Sequence, residues 1–425
     1  MPIHPKVITY KTWKGINNVT GAESTSPEYF KDLINIDVDK TGGIKKRKGY
    51  TKVGTGAITS LWASTAGLGC YGVVDGNLVQ IYSDYSFSSS LLTLGTDFTL
   101  SFEEVDNKIY FCNNSHTGII ENGVIKSWGI TKTQPTLNLS IVSGNLLAGD
   151  YQVNYTLVNQ EGIESGCSES QIINVPSDLS GIRFLFPTIT DSSIVYARIY
   201  CSTQNGRILY YSGICPSNST YTISSITSLS NPLRTFNLDN APKGHITKYH
   251  NGRLYVAQDN ILWYSEKYQY QHFKLDSNYI EFPTRIKEVM PVESGIWIGG
   301  DKLYFLDGTE PDKFNRITKD VASVVEGTST KISGAYSIIP GNPISYYWLV
   351  TSNLGILTLM EQGTLINQTV TNVELEQANS GTSLFLKANG INQYLSMLKP
   401  NGSPNNSIVG DLVESVVIRN GVIIT

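Results

Sequence analysis

The stretch "RLYVAQDNILWYS", from Arg253 to Ser265, places two runs of apolar and aromatic residues on either side of Gln258-Asp259-Asn260. β-Branched and aromatic residues fit a half-buried, pleated strand. Asp and Asn tolerate the left-handed backbone conformation that tight hairpin turns need. The stretch therefore predicts one antiparallel β-hairpin.

The same pattern recurs along the chain, each time with a polar turn containing Gly, Asn or Asp. The six predicted hairpins run over Gly69–Tyr82, Lys108–Glu121, Arg253–Ser265, Gly295–Leu306, Tyr346–Met360 and Ser383–Leu398. Their starts are 37 to 51 residues apart, except for one gap of 145 residues. Without residues 132–242 that gap is 34 residues, and a period of roughly 40 to 50 residues is typical of four-stranded propeller blades. We expect an all-β fold with a β-propeller of about six blades. Strands near residues 8–13 and 413–425 would pair to close the ring.

Residues 132–242 carry a different pattern. Apolar and polar residues alternate strictly from Tyr151 to Leu157, and Gln204-Asn205-Gly206 is a strong hairpin signal. Short alternating strands over this length predict an inserted immunoglobulin- or fibronectin-like β-sandwich, although no Trp lies between Trp128 and Trp263 to form an antibody-type core. The predicted domains are residues 1–131 (N-terminal segment and first blades), 132–242 (inserted sandwich) and 243–425 (remaining blades and ring closure).

The composition is that of an ordered all-β protein, since 40% of the 425 residues are hydrophobic and only 16% are charged. A formal net charge of −4 argues against a protein that grips nucleic acid tightly by its phosphates. The five cysteines are odd in number and none has C-x-x-C spacing, so buried thiols are expected. The N-terminus predicts no secretion signal, and no apolar run is long enough to predict a membrane span.

Two local patterns give further expectations. The hairpin aromatics, including Tyr255, Trp263, Trp297 and Trp348, are expected to pack between blades and not against a ligand. The segment Ser26–Ile36, "SPEYFKDLINI", is the best candidate for a helical turn, with Ser26 as its cap.

No group of residues predicts an active site, a metal site or a cofactor site. Glu103, Glu104 and Asp106 cluster near a strand start, but a glycosidase needs two carboxyls that converge on one sugar bond, and a structural role is favoured. Residues 37–43, "DVDKTGG", lack the distal Glu of a calcium loop, and a tight turn is favoured. The five histidines show no metal-binding spacing, and phosphate-loop and nucleophile-elbow motifs are missing from the sequence. We therefore expect a protein that is not an enzyme.

The dense basic run consists of Lys45, Lys46, Arg47 and Lys48. On a strand, successive side chains alternate between faces, so half of the charge points each way. A localisation tag, contact with DNA phosphates, contact with another subunit and a simply solvated strand all remain open for these four residues.

Three blocks of the sequence resemble a known family. "TWKGINNVTGAESTSPEYFKDLINIDVDKTGGIKKRKGYTKV" (Thr12–Val53) looks like the N-terminal signature of the tail nozzle proteins of short-tailed bacteriophages, also called tail tubular protein B or packaged-DNA stabilisation proteins. "GHITKYHNGRLYVAQDNILWYSE" (Gly244–Glu266) and "GIWIGGDKLYFLDGTEPDKF" (Gly295–Phe314) are similar to two further blocks of such proteins. The similarity covers about half of the chain, in patches whose order is kept.

The resemblance implies a structural virion protein without catalysis. Such a protein forms a hexameric ring below the portal-adaptor (head-to-tail connector) protein, contacts tail fibre or needle proteins, and surrounds the genomic DNA without reading its sequence. It would be located in the virion tail after assembly in the host cytoplasm, where it retains packaged DNA and later conducts it during ejection.

The alternative is a carbohydrate-binding or hydrolytic propeller with an accessory sandwich module. That protein would act as a monomer and would expose aromatics and converging carboxylates in a central pocket. A receptor-binding tail tip is a weaker third possibility, because the fibre-type repeats it would need are missing from the sequence.

Overall fold

The computed structural model describes residues 9, 12–33, 36–38, 41–46, 56–95, 98–133, 137–167, 169–226, 229–319, 323–336, 345–370, 372–375, 377–388, 391–400, 414–419 and 422–424. Two compact units are present: a central unit, Gly56–Glu281, and a terminal unit, Met1–Thr55 with Phe282–Thr425. The described residues form strands and short 3-10 turns without an α-helix, which confirms the predicted all-β class. None of them belongs to a helix that could cross a membrane.

The strands, in chain order, are β1 (Ile36–Val38), β2 (Ile44–Lys46), β3 (Ile58–Ala63), β4 (Cys70–Val74), β5 (Asn77–Ile81), β6 (Leu92–Thr93), β7 (Ser101–Val105), β8 (Lys108–Cys112), β9 (Thr117–Glu121), β10 (Val124–Lys126), β11 (Asn138–Leu146), β12 (Gly149–Asn159), β13 (Gln171–Val175), β14 (Ser180–Leu185), β15 (Ile194–Ser202), β16 (Leu209–Pro216), β17 (Thr220–Ile223), β18 (Ile246–His250), β19 (Arg253–Gln258), β20 (Ile261–Glu266), β21 (Gln269–Phe273), β22 (Tyr279–Glu281), β23 (Glu288–Val292), β24 (Gly295–Gly299), β25 (Leu303–Asp307), β26 (Asn315–Lys319), β27 (Thr330–Ser333), β28 (Tyr346–Ser352), β29 (Gly355–Leu359), β30 (Leu365–Asn367), β31 (Ala378–Ala388), β32 (Ile391–Pro400), β33 (Glu414–Arg419) and β34 (Val422–Ile424). Short 3-10 turns cover Pro311–Lys313, Gly334–Tyr336 and Glu361–Gly363.

Six antiparallel sheets are built from strands that are consecutive in sequence. The first sheet holds β3 to β6, the second β7 to β10, the third β18 to β22, the fourth β23 to β26, the fifth β27 to β30 and the sixth β31 to β34. Among the described residues five of these sheets have four strands, and the third has five because β22 pairs with one half of β20 while β21 pairs with the other. Each sheet therefore follows the chain order as an antiparallel meander, apart from β22, which pairs back on β20.

All six predicted hairpins are confirmed as antiparallel strand pairs. Five of them are the middle two strands of a sheet, and the last is the first pair of the sixth sheet. In the turn between β19 and β20, Asp259 has φ 52°, a left-handed conformation that Asp adopts at little cost. The residues of this turn therefore determine where β19 ends and β20 begins.

In the central unit, consecutive sheets share hydrophobic cores. Tyr71 and Leu78 of the first sheet pack in one cluster with Phe102 and Phe111 of the second. The second and third sheets share another cluster, in which the Trp128 indole N–H donates to the Tyr270 carbonyl at 2.7 Å. Each sheet is thus covered by its neighbour along the chain.

Seven strands, β11 to β17, form a module in the middle of the central unit. β11, β14 and β17 make one sheet, and β13, β12, β15 and β16 make a second sheet in that order. The two sheets share one core, in which the rings of Tyr155 and Phe184 lie 5.6 Å apart. This distribution differs from the immunoglobulin constant-type order, in which the first, second, fourth and fifth strands share a sheet.

In the terminal unit, the fourth and fifth sheets exchange two indole hydrogen bonds. Trp297 donates to the Met360 carbonyl at 2.8 Å, and Trp348 donates to the Pro291 carbonyl at 2.6 Å. Both rings are buried, as predicted. In the central unit Tyr255 is also buried, whereas Trp263 is only half-buried and rests against the core shared by the second and third sheets.

One sequence-based expectation about the N-terminal region differs from the structure, and the expected pairing of the two chain ends stays a prediction. Within Ser26–Ile36, the described residues 26–33 contain one hydrogen-bonded turn, Tyr29 N–H to the Ser26 carbonyl, followed by a bridge between Ile16 and Phe30 and not by a helix. β33 and β34 pair within the sixth sheet, with β32 as their neighbour. Of the N-terminal segment 8–13, residues 8, 10 and 11 lie outside the described residues.

Candidate subunit-contact surfaces

The predicted basic site lies on the β1–β2 hairpin of the terminal unit. Lys45 stands opposite Asp37, and Lys46 stands opposite Ile36 in the strand register. Ile44, Lys45 and Lys46 are all exposed. Gly42 in the turn has φ +80°, and a Cβ there would come within 2.7 Å of the Trp13 backbone nitrogen. β1 and β2 pair antiparallel around "DVDKTGG", which is consistent with the favoured turn. Asp39 and Lys40 of this turn, like Arg47 and Lys48, lie outside the described residues.

The clustered carboxylates hold neighbouring strands together. Glu104 accepts hydrogen bonds from the Ser64 hydroxyl at 2.6 Å and from the Thr65 backbone N–H at 3.1 Å. Glu103, next to it on β7, faces the Lys248 ammonium at 3.7 Å. Asp106 lies in the turn after β7 with φ 50°. Glu103 and Glu104 bond to different partners, as the favoured structural role requires.

Among the histidines, His272 on β21 has the best-defined contacts. Its Nε2 lies 2.6 Å from the Glu164 carbonyl oxygen and its Nδ1 lies 3.0 Å from Gln269 Oε1. Burial lowers the pKa of His272 below its usual value because desolvation disfavours the charged ring. In the part of the chain that the structure describes, no three His, Cys, Asp or Glu side chains are placed to hold a metal ion.

The cysteines, all within the described residues, form no disulfide. Cys112, Cys167, Cys201 and Cys215 are buried and Cys70 is half-buried. Burial raises the pKa of Cys167 and of Cys201 to about 12. These thiols remain protonated near neutral pH and are poor nucleophiles.

Glu164 anchors the module through its side chain. It accepts hydrogen bonds from the Thr156 hydroxyl at 2.5 Å, the Arg198 guanidinium at 2.6 Å and the Tyr200 hydroxyl at 2.7 Å. All three donors lie on β12 or β15, while the Glu164 carbonyl faces His272 of the third sheet. One residue therefore connects the module to a neighbouring sheet.

Further bonds join the two ends of the module to the second and third sheets. Asp239 and Phe273 exchange two backbone hydrogen bonds, of 2.7 and 2.9 Å, and the Asp239 carboxylate accepts the Lys132 N–H at 3.0 Å. Lys126 of β10 forms an ion pair with Glu161 at 2.9 Å. The entering and leaving chain segments are thus fixed at one place, which holds the module in one orientation within the central unit.

A groove of about 460 Å³ opens on the module. It is lined by Gln152, Glu169, Ser170, Ile172, Arg207, Ile208, Leu209, Leu233 and Phe236. Ile172 and Ile208 are 65% and 57% exposed, and Glu169 and Arg207 are exposed at its rim. Exposed apolar side chains that are rimmed by polar groups are typical of interaction surfaces.

Sequence reasoning missed both the Glu164 cluster and the groove. Glu164 and His272 are 108 residues apart, and nothing in their local patterns links them. The groove is lined from three separate strands and three loops, so only the strand order brings its residues together. A sequence signal was available for two of the lining residues. Apolar and polar positions alternate along the strands of Gln152 and Ile172, which places both side chains on the sheet face that points away from the module core.

No family model matches this chain, and no curated protein matches it. Three solved structures are weakly similar to this chain. BBS1N in complex with ARL6DN, soaked with mercury, is 12% identical over 82% of this chain and 91% of that chain, with a TM-score of 0.32, and Saccharomyces cerevisiae Sqt1 is 10% identical over 75% of each chain, with a TM-score of 0.29. A catalytically inactive virginiamycin B lyase from Staphylococcus aureus with quinupristin is 12% identical over 81% of this chain and 93% of that chain, with a TM-score of 0.30. At these TM-scores the similarities support no conclusion about function.

Proposed function

We propose that this protein is a subunit of the tail nozzle of a short-tailed bacteriophage. In this role it forms a homo-oligomeric, hexameric ring below the portal-adaptor protein. It retains packaged DNA and conducts it during ejection, without catalysis. Tail fibre or needle proteins are its further partners, and its location is the virion tail.

The observation that carries the proposal is the ordered set of three sequence blocks similar to such phage proteins: Thr12–Val53, Gly244–Glu266 and Gly295–Phe314. The first block contains the β1–β2 hairpin, the second spans β18 to β20, and the third spans β24, β25 and the turn after them. The similarity thus falls on strand pairs and their turns, where sequence and backbone geometry are most closely coupled.

The fold that we propose for this role is a six-bladed β-propeller with an inserted β-sandwich. Six consecutive meander sheets, with shared cores between successive sheets in each unit, support the propeller. The two-sheet module, fixed at both of its ends, supports the insertion. A nozzle needs a rigid wall, and meander sheets covered on their faces suit that need.

Particle symmetry tests the proposal directly. The purified full chain, alone and with the portal-adaptor protein of the same phage, is examined by analytical ultracentrifugation and electron microscopy. We expect a ring with sixfold symmetry that binds the adaptor. A chain that stays monomeric, does not bind the portal-adaptor protein and binds glycans would instead establish the carbohydrate-binding alternative.

The charge of the ring's inner wall gives a second test. A channel lined with positive charge would bind DNA tightly and slow its passage. With a net charge of −4 per chain, we expect a neutral or acidic lumen in the assembled ring. A strongly basic lumen in a reconstruction would contradict this part of the proposal.

A further inference from the structure

The first part of the chain, residues 12–46, packs with the last part of the chain, and we call it the N-terminal arm. The structure describes residues 12–33, 36–38 and 41–46 of it. The arm belongs to the terminal unit, whereas the central unit begins soon after it in sequence, at Gly56. Residues 47–55, which connect the two, lie outside the described residues. The arm and the sheet that follows it in sequence are therefore parts of different units.

Bonds within the arm hold it together. The Asn17 N–H donates to the Phe30 carbonyl at 2.8 Å, and the Trp13 N–H donates to the Gly42 carbonyl at 3.0 Å. The rings of Trp13 and Phe30 stack with their centroids 4.3 Å apart. β1 and β2 pair at the end of the arm. The arm can therefore dock as one preformed piece.

The surface that receives the arm is built by the fifth and sixth sheets. Ile16, Leu33 and Val38 of the arm are only 2%, 3% and 1% exposed. They share one hydrophobic cluster with side chains of both sheets, among them Ile332, Tyr347, Ile356, Tyr394 and Leu398. Without an arm, this apolar surface would face water, which is unfavourable.

Asn18 fixes the position of the arm on this surface. Its side-chain amide donates to the Glu374 carbonyl at 3.0 Å and accepts the Glu374 N–H at 2.8 Å. Its backbone N–H donates to the Asn372 carbonyl at 3.0 Å. Directional bonds beside an apolar cluster make the surface specific for this arm.

We propose that in the assembled ring the arm of each copy docks on the terminal unit of the neighbouring copy. The surface fits this occupant because the structure shows the arm seated on it. Exchange keeps each of the contacts above and changes only the path of residues 47–55. Exchange of an identical element is a low-cost route to association. The inference rests on the self-assembly that the proposed function requires.

The order of synthesis favours exchange. About 280 residues separate Lys46, the end of the arm, from Thr330, the start of the fifth sheet. At translation rates of about 5–20 residues per second, the arm waits roughly 14–56 s before its own docking surface begins to appear. During that interval it can dock on another copy whose surface is still free.

Exchange also provides a way to close a ring. Each copy has one arm and one receiving surface, so an open assembly always leaves one of each unfilled, and further copies can add until the set closes. The basic run, Lys45 to Lys48, ends the arm and begins the connection to the central unit. Exchange would therefore place this run at a boundary between subunits.

Cross-linking of a single variant distinguishes exchange from docking within one chain. The full chain carries Asn18→Cys and Glu374→Cys, with Cys70→Ser to remove the half-buried thiol, and a short bis-maleimide is added after assembly. Exchange predicts a ladder of linked chains on a denaturing gel, with most of the linked product larger than a monomer. Docking within one chain predicts an internally linked monomer, and linked product of monomer size alone would overturn the proposal.

Two further cysteine pairs control this experiment. Ser64→Cys with Glu104→Cys joins the first two sheets, where the two native side chains bond at 2.6 Å, and it should give internally linked monomer only. Val19→Cys with Asn372→Cys is a second pair between the arm and its surface, and it should give the same ladder as the first. If neither arm pair is linked, the arm is not docked on this surface and the proposal fails.

Removal of the Asn18 side chain gives an independent test in the full chain. Asn18→Ala loses two hydrogen bonds of the contact and should weaken self-association roughly tenfold. The matched control is Asn77→Ala, since Asn77 accepts hydrogen bonds from Ser90 and Thr93 within the first sheet, and its association should change less than about twofold. Sedimentation velocity measures the association, and circular dichroism confirms that both variants are folded. Equal association of the two variants would count against the exchange.

The outcomes separate this inference from the proposed function. A sixfold ring that binds the portal-adaptor protein but yields only internally linked monomers would overturn the exchange and leave the nozzle proposal intact. A ring that is linked through its arms but never binds the portal-adaptor protein would support the exchange and contradict the nozzle. A chain that sediments as a monomer and links only internally would contradict both.

Discussion

At the scale of single residues, Glu164 combines three accepted side-chain hydrogen bonds with a backbone contact to His272. Its side chain is only 15% exposed. A partly buried carboxylate that is bonded to a guanidinium is costly to lose, because its donors are left without an acceptor. Glu164 therefore contributes to the stability of the module more than a surface glutamate would.

The substitution Glu164→Gln tests this role. It removes the charge and part of the acceptor capacity, and we expect the free energy of unfolding to fall by about 1–2 kcal/mol. Glu169→Gln, at an exposed glutamate of the same module, should change it by less than about 0.5 kcal/mol. Urea denaturation followed by tryptophan fluorescence measures both, and equal effects would show that the hydrogen bonds of Glu164 contribute nothing specific.

Acidic pH should weaken the contact between His272 and the module. Burial depresses the pKa of the folded-state imidazole below its ordinary value of 6.5. The folded protein thus binds a proton less readily than the unfolded chain, and its stability decreases as the pH falls below that unfolded value. His272→Asn should lose less stability between pH 7 and pH 5 than the unsubstituted protein. Urea denaturation at the two pH values measures the free energy of unfolding of both proteins. An equal loss of stability in the two would contradict the role of His272 in this pH dependence.

Gly166 shows how little space is left where the two ends of the module meet. A Cβ at this position would overlap the Leu238 carbonyl oxygen, which belongs to the rigid backbone of the leaving segment. Gly166→Ala should therefore lower the free energy of unfolding by about 3 kcal/mol. At Gly21 an added Cβ meets nothing within 4 Å, so Gly21→Ala should be neutral within about 0.5 kcal/mol. Thermal unfolding compares the pair, and similar melting temperatures would refute the packing argument.

At the scale of elements, the hairpins are the part of the fold that the sequence predicts best. A hairpin is determined by its turn residues and by the apolar runs beside them, which together span about ten residues. Over this range the backbone geometry of the turn determines which strand residues pair. The partners of the outer strands follow, since consecutive strands of a meander need no distant information. The seven-stranded module differs, because β11 pairs with β14 and β12 with β15, and no local pattern specifies those pairs.

Leu262→Pro examines the central position of β20. Leu262 is fully buried and stands between Ala257 of β19 and Ile280 of β22. Proline lacks the N–H that a central strand donates to its ladder, and the leucine packing is lost as well. We expect a destabilisation of roughly 3–5 kcal/mol and failure to assemble, measured by soluble yield and by urea denaturation. Leu262→Met is the control, because it keeps the side-chain volume and the backbone N–H. A similar loss of stability in this variant would argue against the missing N–H as the cause.

At the scale of the whole molecule, the thiols report on native packing. Four of the five cysteines are buried, and Cys70 is half-buried. With 5,5′-dithiobis(2-nitrobenzoic acid) at pH 8, we expect Cys70 to react first and the other four to react only as the protein unfolds. Cys70→Ser should abolish the early phase. An early phase that persists in this variant would mean that a buried thiol becomes accessible in the native state.

What the sequence could not show is how distant elements meet. The composition predicted the all-β class, and hairpin spacing predicted the sheets. The Glu164–His272 contact, the joining of residues 132 and 239, and the groove arise from contacts across many tens of residues. The sequence around the residues that form these contacts shows no distinctive pattern, so only their partners in three dimensions identify them.

The position of the module between β10 and β18 affects the order in which the chain can fold during synthesis. The first two sheets leave the ribosome before the module and can pack together through their own core. The third sheet, which covers the other face of the second, follows only after the module has been made. About 120 residues separate Lys126, the end of the second sheet, from Ile246, the start of the third. At translation rates of about 5–20 residues per second, the apolar face of the second sheet therefore waits roughly 6–24 s for its partner to begin to appear. During that interval Tyr110 and Trp128 lack their later neighbours, so chaperone protection is most valuable at this stage of synthesis.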